Sequence, residues 1–184
     1  MRIRWRKPRH FTDFVDDKQD ILTCEWQSPV GTLLLGAIDD ALCMCDWPNS
    51  TCGDTVRRRL CRIFGGKMVA GESPVLEQAK KQLTEYFEGS RKTFDLPLRF
   101  AGSEFQQQVW SALCEITYGH TVSYGQLADS IGKASAVRAV ASACGKNAIS
   151  IIVPCHRVIG ADGKLTGYAG GMDVKARLLK IEGK

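Results

Sequence analysis

The first half of the chain alternates apolar and polar residues over short segments, a pattern typical of strands in a half-buried sheet. The segments are 20–27, 32–38 and 41–47. Turn-forming residues separate them, so they predict an antiparallel meander. Apolar residues then recur at helical spacing over 55–64 and again after Ser73-Pro74, which has the residue types of an N-cap and a first helical position. Gly89 is the predicted end of that second helix.

The second half carries stronger helix signals. Two pairs of residues have the spacing of a capping box, Ser103 with Gln106 and Ser123 with Gln126. The second box opens a short helix that ends at Gly132, and Ser135 opens another that ends at Gly145. Two short helices joined by a tight glycine-containing turn predict a helix-turn-helix. The apolar run 149–153 predicts a buried strand, and Asp173 predicts the start of a last helix.

The length of 184 residues allows one large domain or two small ones. Because the pattern changes near residue 90, we predict two domains: an N-terminal α/β domain over 1–89 and a C-terminal domain over 103–184. Residues 90–102 contain Pro97 and few periodic positions, which indicates a connector. The fold class is therefore α+β.

Composition and charge exclude several classes of protein. With 44% hydrophobic and 24% charged residues, the chain is not a disordered protein, a collagen or a coiled coil. Its basic start is followed by aspartates rather than an apolar core, so we expect neither a secretory signal nor a membrane span. The expected compartment is the reducing cytoplasm, where the eight cysteines are free thiols, metal ligands or nucleophiles before they are disulfides.

The second helix of the predicted helix-turn-helix consists almost entirely of small residues, with Arg138 as its single long side chain. A core helix packed against another helix is one interpretation. The charge distribution favours another. The chain has a net charge of +5, and no acidic residue occurs between Asp129 and Asp162, where Lys133, Arg138, Lys146 and Arg157 supply four positive charges. A basic, acid-free stretch around a helix-turn-helix is the expected footprint of phosphate contact, so it favours nucleic-acid binding.

The candidate chemistry lies in the same stretch, at Pro154-Cys155-His156-Arg157. Positive charge beside a cysteine lowers the thiol pKa, and the thiolate is the nucleophile. Neighbours in an extended strand point to opposite faces, so Cys155 and His156 can cooperate only in a turn or through a water molecule. A third group must orient the imidazole, and the acids downstream are Asp162, Asp173 and Glu182. An inert buried cysteine is the alternative.

Several motifs together resemble the O6-alkylguanine-DNA alkyltransferases, the methylated-DNA:protein-cysteine methyltransferases. They are Phe105-Gln-Gln-Gln-Val-Trp110, Thr121-Val-Ser-Tyr-Gly-Gln-Leu-Ala128, Arg138-Ala-Val-Ala141, Asn147, Pro154-Cys-His-Arg157 and Gly167-Tyr-Ala-Gly-Gly171. The resemblance covers about residues 97–184, and before them mainly the Ser28-Pro-Val-Gly31 turn and the following strand. It implies a ribonuclease H-like N-terminal domain and a mostly helical C-terminal domain of winged helix-turn-helix type that carries the active-site cysteine.

The resemblance implies an irreversible transfer of a methyl or other alkyl group from O6-alkylguanine, and also O4-alkylthymine, to Cys155. Each protein molecule would react once. His156 would take the thiol proton through a water molecule, and Glu182 would orient His156. Asn147 would brace the turn that carries Cys155 and His156. Tyr124 would donate a proton to the guanine. No cofactor and no metal are expected.

The same resemblance implies double-stranded DNA as the partner, bound through its minor groove with the damaged base flipped out. Arg138 would fill the space that the base leaves. Further DNA contacts are expected at Ser123, Tyr124, Gly125, Ala136, Val137, Ala141 and Ala161. Pocket contacts are expected at Val158, Tyr168, Ala169 and Gly170. We expect a monomer, with cooperative binding along DNA left open.

Three alternatives stay open at this point. The protein could be a lesion binder that does no chemistry, although such relatives lack the cysteine that is present here. It could be a thiol hydrolase with a Cys-His pair, which predicts turnover and no DNA affinity. Metal binding by Cys43 and Cys45 with Cys24, Cys52, Cys61 or His10 competes with buried free thiols, which we favour. The basic tail at residues 2–9 either adds nonspecific DNA affinity or is a disordered end.

Overall fold

The computed structural model describes residues 19–184, so the basic tail at residues 2–9 and His10 lie outside the described residues. The N-terminal part is a four-stranded sheet in the order β3-β2-β1-β4. Its strands are β1 (Gln19–Ser28), β2 (Gly31–Ile38), β3 (Ala41–Asp46) and β4 (Gly65–Ala70). The three predicted strands pair antiparallel, as the alternation indicates.

The predicted antiparallel sheet needs one correction, because β4 pairs with β1 in parallel and makes the sheet mixed. Helix α1 (Gly53–Phe64) leads directly into β4 and carries the chain back to the far edge of the sheet. Gly66 allows β4 to lie close to the start of β1, since a Cβ at this position would lie 2.0 Å from the carbonyl oxygen of Gln19. The sequence of β4 is short and weakly alternating, so its pattern did not predict a strand.

The helices of the N-terminal part begin and end as their sequence predicts. Helix α2 (Pro74–Phe87) begins after Ser73, whose hydroxyl accepts a hydrogen bond from the Leu76 amide. Leu76, Ala79 and Leu83 are buried on its inner face. Tyr86 in its last turn is also buried, and its hydroxyl points toward the C-terminal part.

The C-terminal part is mostly helical. Its elements are α3 (Glu104–Cys114), β5 (Val122–Ser123), α4 (Tyr124–Ser130), α5 (Val137–Cys144), β6 (Val158–Ile159) and α6 (Met172–Ile181). Both predicted capping boxes are present, at Ser103 and at Ser123. The turn between α4 and α5 passes through Gly132 at φ 68° and a short 3-10 turn at Ala134–Ala136, which confirms the helix-turn-helix. Within residues 19–184, no helix is long and apolar enough to cross a bilayer.

The predicted strand at 149–153 is wrong. Ile149 forms only an isolated parallel bridge with Cys45 of β3, and the chain then turns, with Ile151 at φ 71°. The Val153 amide donates to the Ile149 carbonyl at 2.9 Å, which closes the turn. The apolar run reflects burial on all sides of a loop rather than membership of a sheet.

The two parts are joined along β3. Its Leu42 amide donates to the Pro97 carbonyl at 2.8 Å, and the Arg99 amide donates to the Leu42 carbonyl at 2.9 Å, so the connector packs on the sheet edge. Further along the same edge, the Cys45 amide donates to the Ala148 carbonyl at 2.8 Å. The loop before Cys155 is therefore held by the N-terminal sheet. The domain boundaries at 89 and 103 stay a prediction.

Candidate active site

Cys155 begins a 3-10 turn, Cys155–Arg157, that follows Pro154. Cys155 and His156 therefore do not lie in an extended strand, but the His156 ring is directed to Glu182, so of the two routes to cooperation the one through a water molecule remains. Cys155 is 7% exposed, and its sulfur lies 3.4 Å from Nδ2 of Asn147. The same Nδ2 donates to the Val153 carbonyl at 2.9 Å, while Oδ1 accepts from the Ile149 amide at 2.9 Å. Asn147 therefore contacts both ends of the loop and the thiol.

Glu182 is the acid that lies beside His156. Its Oε1 is 2.8 Å from His156 Nε2, and its two oxygens accept hydrogen bonds from the Arg157 guanidinium at 2.8 and 2.9 Å. The Tyr86 hydroxyl donates to Oε1 at 2.8 Å, and the Gly119 amide donates to Oε2 at 3.1 Å. Glu182 is only 5% exposed, so the last helix is docked at this residue.

Burial and the charges of this cluster determine the protonation state of His156 at neutral pH. Burial alone would raise the pKa of Glu182, but the hydrogen bonds from His156 and Arg157 lower it to about 2. Burial also lowers the pKa of His156, with partial compensation by Glu182. At neutral pH the imidazole is therefore neutral, and Nε2 carries the proton because it faces a carboxylate. Among residues 19–184, Nδ1 has no hydrogen-bond partner, so its lone pair is free to accept a proton.

The Cys155 thiol is protonated in the free protein. Burial raises its pKa to about 11, although the hydrogen bond from Asn147 and the charge of Lys175 act in the opposite direction. The sequence-based expectation of an acidic thiol beside positive charge is not met, because desolvation outweighs the nearby cations. Cys155 consequently needs a base at the moment of reaction.

The thiol lies on a cleft of about 600 Å³. Its lining includes the predicted residues Tyr124, Ala141, Asn147, Tyr168 and Ala169, and also Cys144, which the resemblance places near the pocket without a role. The lining residues that were not predicted are Thr51, Cys52, Gly145, Thr166, Gly167, Gly171 and Met172. β6 follows the Cys155 turn and pairs with β5, and β5 leads directly into Tyr124. This pairing explains how residues about thirty positions apart share one cleft.

Tyr168 lines the cleft, and Trp47 of the N-terminal part packs against it. Tyr168 packs edge-on against Trp47, with ring centroids 5.5 Å apart. Trp47 also constrains position 170, because a Cβ at Gly170 would lie 2.9 Å from the indole. Gly170 and Val158, which were expected in the pocket, are not among the residues that line the cleft. The role of Trp47 was missed by the sequence analysis, since it comes from the N-terminal part, more than a hundred residues away.

Tyr124 is held by a second unpredicted residue. The Thr166 hydroxyl donates to the Tyr124 hydroxyl oxygen at 3.2 Å. Burial raises the pKa of Tyr124, so the phenol keeps its proton at neutral pH. The Tyr124 oxygen accepts the hydrogen bond from Thr166, so the Tyr124 O–H proton is not used in that bond. The phenol can therefore donate its proton into the cleft.

The predicted DNA contacts lie on the helix-turn-helix and on a neighbouring loop. Arg138 and Val137 at the start of α5 are exposed, and so is Ala161 in the loop after β6. The other predicted contacts are partly exposed: Ser123, Gly125, Ala136 and Ala141. Ser123 also caps α4, because its hydroxyl accepts a hydrogen bond from the Gln126 amide. The structure thus leaves these positions accessible without testing what they bind.

Lys175 is a buried cation that the sequence analysis did not single out. It is fully buried, and its Nζ donates to the carbonyl oxygens of Val158 and Thr166 at 2.6 and 2.7 Å. These bonds tie α6 to both sides of the loop that follows the Cys155 turn. The Val158 carbonyl therefore already accepts one charged hydrogen bond.

Replacing Lys175 by methionine should lower the free energy of unfolding by about 2–3 kcal/mol, because two buried carbonyls lose a charged donor. The side chain keeps its approximate volume, so packing changes little. Urea denaturation of K175M measures the loss. The exposed Lys180→Met serves as the control, and equal stability of K175M and K180M would contradict the assigned hydrogen bonds.

The thiols do not form a metal site in the described residues. All eight cysteines are free, and no group of three or more His, Cys, Asp or Glu side chains within residues 19–184 could hold a metal ion. Burial raises the pKa of Cys43 and of Cys45 far above the ordinary value. These two thiols are core residues of β3.

Comparison with known proteins agrees with this arrangement. The family model described as 6-O-methylguanine DNA methyltransferase, ribonuclease-like domain, matches residues 25–100. The model described as 6-O-methylguanine DNA methyltransferase, DNA binding domain, matches residues 104–184. Together they confirm the ribonuclease-like N-terminal domain and the C-terminal DNA-binding domain expected from the sequence.

Individual relatives are similar over long segments. The inducible methylated-DNA–protein-cysteine methyltransferase of Bacillus subtilis is 50% identical over 119 residues, 65% of this chain and 66% of the relative. The methylated-DNA–protein-cysteine methyltransferase of Methanosarcina acetivorans is 58% identical over 106 residues, 58% of this chain and 68% of the relative. The matched segments thus span about two thirds of these curated relatives.

A solved structure extends the match to nearly the whole fold. The crystal structure of Mycobacterium tuberculosis OGT in complex with DNA has a TM-score of 0.74 and 42% identity, and the match covers 89% of this chain and 92% of that chain. The chain therefore belongs to the 6-O-methylguanine DNA methyltransferase family.

Proposed function

We propose that this protein repairs DNA by transferring an alkyl group from the O6 atom of guanine to the sulfur of Cys155. The observation that carries the proposal is the buried Cys155 thiol, braced by Asn147 and open to a cleft beside the helix-turn-helix. The His156–Glu182 pair next to it supplies a neutral base. The names of the relatives, methylated-DNA–protein-cysteine methyltransferases, support the same reaction.

The reaction is a single displacement. The sulfur of Cys155 forms a bond to the alkyl carbon while the bond between that carbon and guanine O6 breaks. The thiol proton passes to His156 Nδ1 by way of a water molecule, and Glu182 stabilises the resulting imidazolium. Tyr124 donates a proton to the guanine as negative charge develops on it, so the base leaves neutral, and the proton held by the His156 imidazolium returns through solvent to restore the Tyr124 phenol.

The product is a thioether, which no group in the site can cleave. Each molecule therefore repairs one lesion and is consumed. Methyl and larger alkyl groups are proposed substrates because the cleft, at about 600 Å³, exceeds the volume of a guanine base that carries a methyl group. O4-alkylthymine is a second proposed substrate.

Double-stranded DNA is the proposed partner, since the crystal structure of the M. tuberculosis relative is a complex with DNA. The small side chains of α5 suit close approach to the minor groove. The damaged base must leave the stack to reach Cys155, and Arg138, which is exposed and has no hydrogen-bond partner among residues 19–184, is placed to fill the gap. The protein acts as a monomer that can bind DNA cooperatively, and its compartment is the cytoplasm.

Replacing Arg138 by alanine should slow alkyl transfer from duplex DNA by roughly ten- to a hundredfold, because unstacking a base costs a few kcal/mol that Arg138 would offset. Transfer from a short single-stranded oligonucleotide, in which no base pair must open, should fall much less. Single-turnover rates on the two substrates measure the difference.

The control is Arg62→Ala, which removes an exposed arginine from α1 in the N-terminal part. If R138A slowed both substrates equally, or if R62A reproduced its effect, Arg138 would act through general charge and not in base flipping.

Stoichiometry tests the proposed function as a whole. With duplex DNA in excess, the amount of O6-methylguanine removed should stop at one lesion per protein molecule. Continued turnover would indicate a thiol hydrolase or another catalyst. DNA binding without any loss of the methyl group would indicate a lesion binder.

A further inference from the structure

The loop between β6 and α6, residues 160–171, forms one side of the cleft. Four consecutive residues of this loop line the cleft: Thr166, Gly167, Tyr168 and Ala169. More than half of the loop is exposed. An exposed loop keeps a defined shape only where it packs on rigid elements, so the position of this wall depends on what supports the loop.

Lys175 of α6 supports the backbone of the loop. Its Nζ donates to the Thr166 carbonyl at 2.7 Å, two residues before Tyr168. The Gly171 amide donates to the Tyr168 carbonyl at 3.1 Å and closes the turn ahead of α6. Both bonds act on the backbone, so neither fixes the Tyr168 ring.

Trp47, which follows β3 in the N-terminal part, supports the ring itself. The indole lies edge-on to the Tyr168 ring, with centroids 5.5 Å apart, a favourable aromatic arrangement. The Tyr168 ring is also edge-on to the His156 ring, with centroids 6.3 Å apart. The backbone at Gly170 packs against the indole so closely that a Cβ there would lie 2.9 Å from it. Trp47 therefore contacts the loop at two positions, Tyr168 and Gly170.

The indole is held in place by the turn between β1 and β2. Trp47 is 8% exposed, and its Nε1 donates to the Val30 carbonyl at 3.1 Å. The neighbouring Pro29 carbonyl accepts a hydrogen bond from Arg177 of α6 at 2.6 Å. A buried indole with a bonded N–H is a rigid support. One turn of the N-terminal sheet thus ties together the indole and the helix that follows the loop.

We propose that Trp47 is a positioning residue that fixes Tyr168 and thereby sets the size of the alkyl group that the cleft accepts best. The proposal rests on the proposed function, in which the cleft lined by Cys155 and Tyr168 takes the alkylated base. With the indole in place, the wall is rigid and holds a methylated guanine in the geometry that displacement requires. Without the indole, the Tyr168 ring moves into the vacated space, and the wider cleft holds a small alkyl group less precisely than a large one.

The test is Trp47→Ala, which removes the support and changes none of the residues that line the cleft. Single-turnover rates are measured on one duplex sequence that contains either O6-methylguanine or O6-benzylguanine. We expect methyl transfer to slow about tenfold and benzyl transfer less than about twofold, so the ratio of the methyl rate to the benzyl rate falls at least about fivefold. A general loss of folded protein would affect both substrates alike and leave this ratio unchanged.

A second readout needs no DNA. Cys155 is modified with iodoacetamide or with the bulkier N-benzyliodoacetamide, and peptide mapping by mass spectrometry separates Cys155 from the other thiols. In Trp47→Ala, the wider cleft should raise the rate with the bulkier reagent at least about threefold relative to iodoacetamide. If the wild-type protein transferred no alkyl group from DNA, the proposed function would fail, whereas this second ratio would still decide whether Trp47 supports the wall.

The control is Trp26→Ala, which removes a tryptophan of β1 that packs on Phe87 with ring centroids 6.2 Å apart. Both ratios should keep their wild-type values in this variant. Trp47→Phe, which loses the N–H donor to Val30 and part of the ring, replaces the alanine variant should that fail to fold, and should shift both ratios in the same direction by at least about twofold. A wild-type value for either ratio in the folded Trp47 variant, or the same shifts in Trp26→Ala, overturns the proposal.

Discussion

Replacing Cys155 by serine should abolish methyl transfer from O6-methylguanine, by at least about a thousandfold, because a serine hydroxyl at this position is a far weaker nucleophile than a thiolate. The variant should still bind duplex DNA with the affinity of the wild type, since Arg138 and the helix-turn-helix are unchanged. Single-turnover transfer and a DNA-binding titration measure the two properties.

The matched control for C155S is Cys24→Ser in strand β1, which removes a thiol remote from the cleft and should transfer the methyl group at the wild-type rate. If C155S transferred the methyl group at the wild-type rate, the acceptor would be a different thiol. Loss of DNA binding together with transfer would show that the substitution disturbed the helix-turn-helix.

Replacing Glu182 by glutamine should lower the free energy of unfolding by about 3–5 kcal/mol, because Arg157 is left as a buried cation without its counter-charge. It should also slow methyl transfer at least about tenfold, since His156 loses the carboxylate that orients it and stabilises its protonated form. Urea denaturation and single-turnover rates at a temperature where the variant is folded separate the two effects.

The pH dependence of stability gives Glu182→Gln a second readout. The pKa of Glu182 falls from an ordinary 4.5 to about 2 on folding, so its contribution to stability is complete above pH 4.5 and disappears as the pH falls toward 2. The wild type should lose this part of its stability on acidification, and E182Q should show a flatter profile. Glu115→Gln, an exposed residue after α3, is the control. Parallel acid profiles for wild type and E182Q would contradict the assigned charge cluster.

Local signals explain which parts of the structure could be predicted from the sequence. The two capping boxes and the glycine at 132 define the helix-turn-helix because those residues act within one turn of where they stand. The same holds for Ser73 at the start of α2. The short β4 strand carries no such signal, since its pairing partner lies some forty-five residues earlier and its own alternation is weak.

The parts of the site that sequence reasoning missed depend on distant contacts. Lys175 has the spacing of an apolar position in α6, and only the fold reveals the two carbonyls that it satisfies. Trp47 belongs to the N-terminal domain but lies against Tyr168. The loop at 149–153 was predicted as a strand because burial of a loop and burial of a strand produce the same apolar run.

Cys155 also shows why a thiol is difficult to interpret from its neighbours alone. His156 and Arg157 follow it in the sequence, yet both side chains are directed to Glu182 rather than to the sulfur. Burial then raises the pKa of the thiol to about 11, so the free protein holds an unreactive cysteine. In the proposed reaction, its reactivity comes from the base at His156 and from the alkylated guanine itself.

The most direct test of the account locates the transferred methyl group. Stoichiometric protein is incubated with duplex DNA that contains one O6-[13C]methylguanine, and the digested protein is mapped by mass spectrometry. We predict one labelled methyl group per protein molecule, on the peptide that contains Cys155. A methyl group on any other residue, or release of the label without a modified protein, would contradict the central claim that Cys155 is the alkyl acceptor.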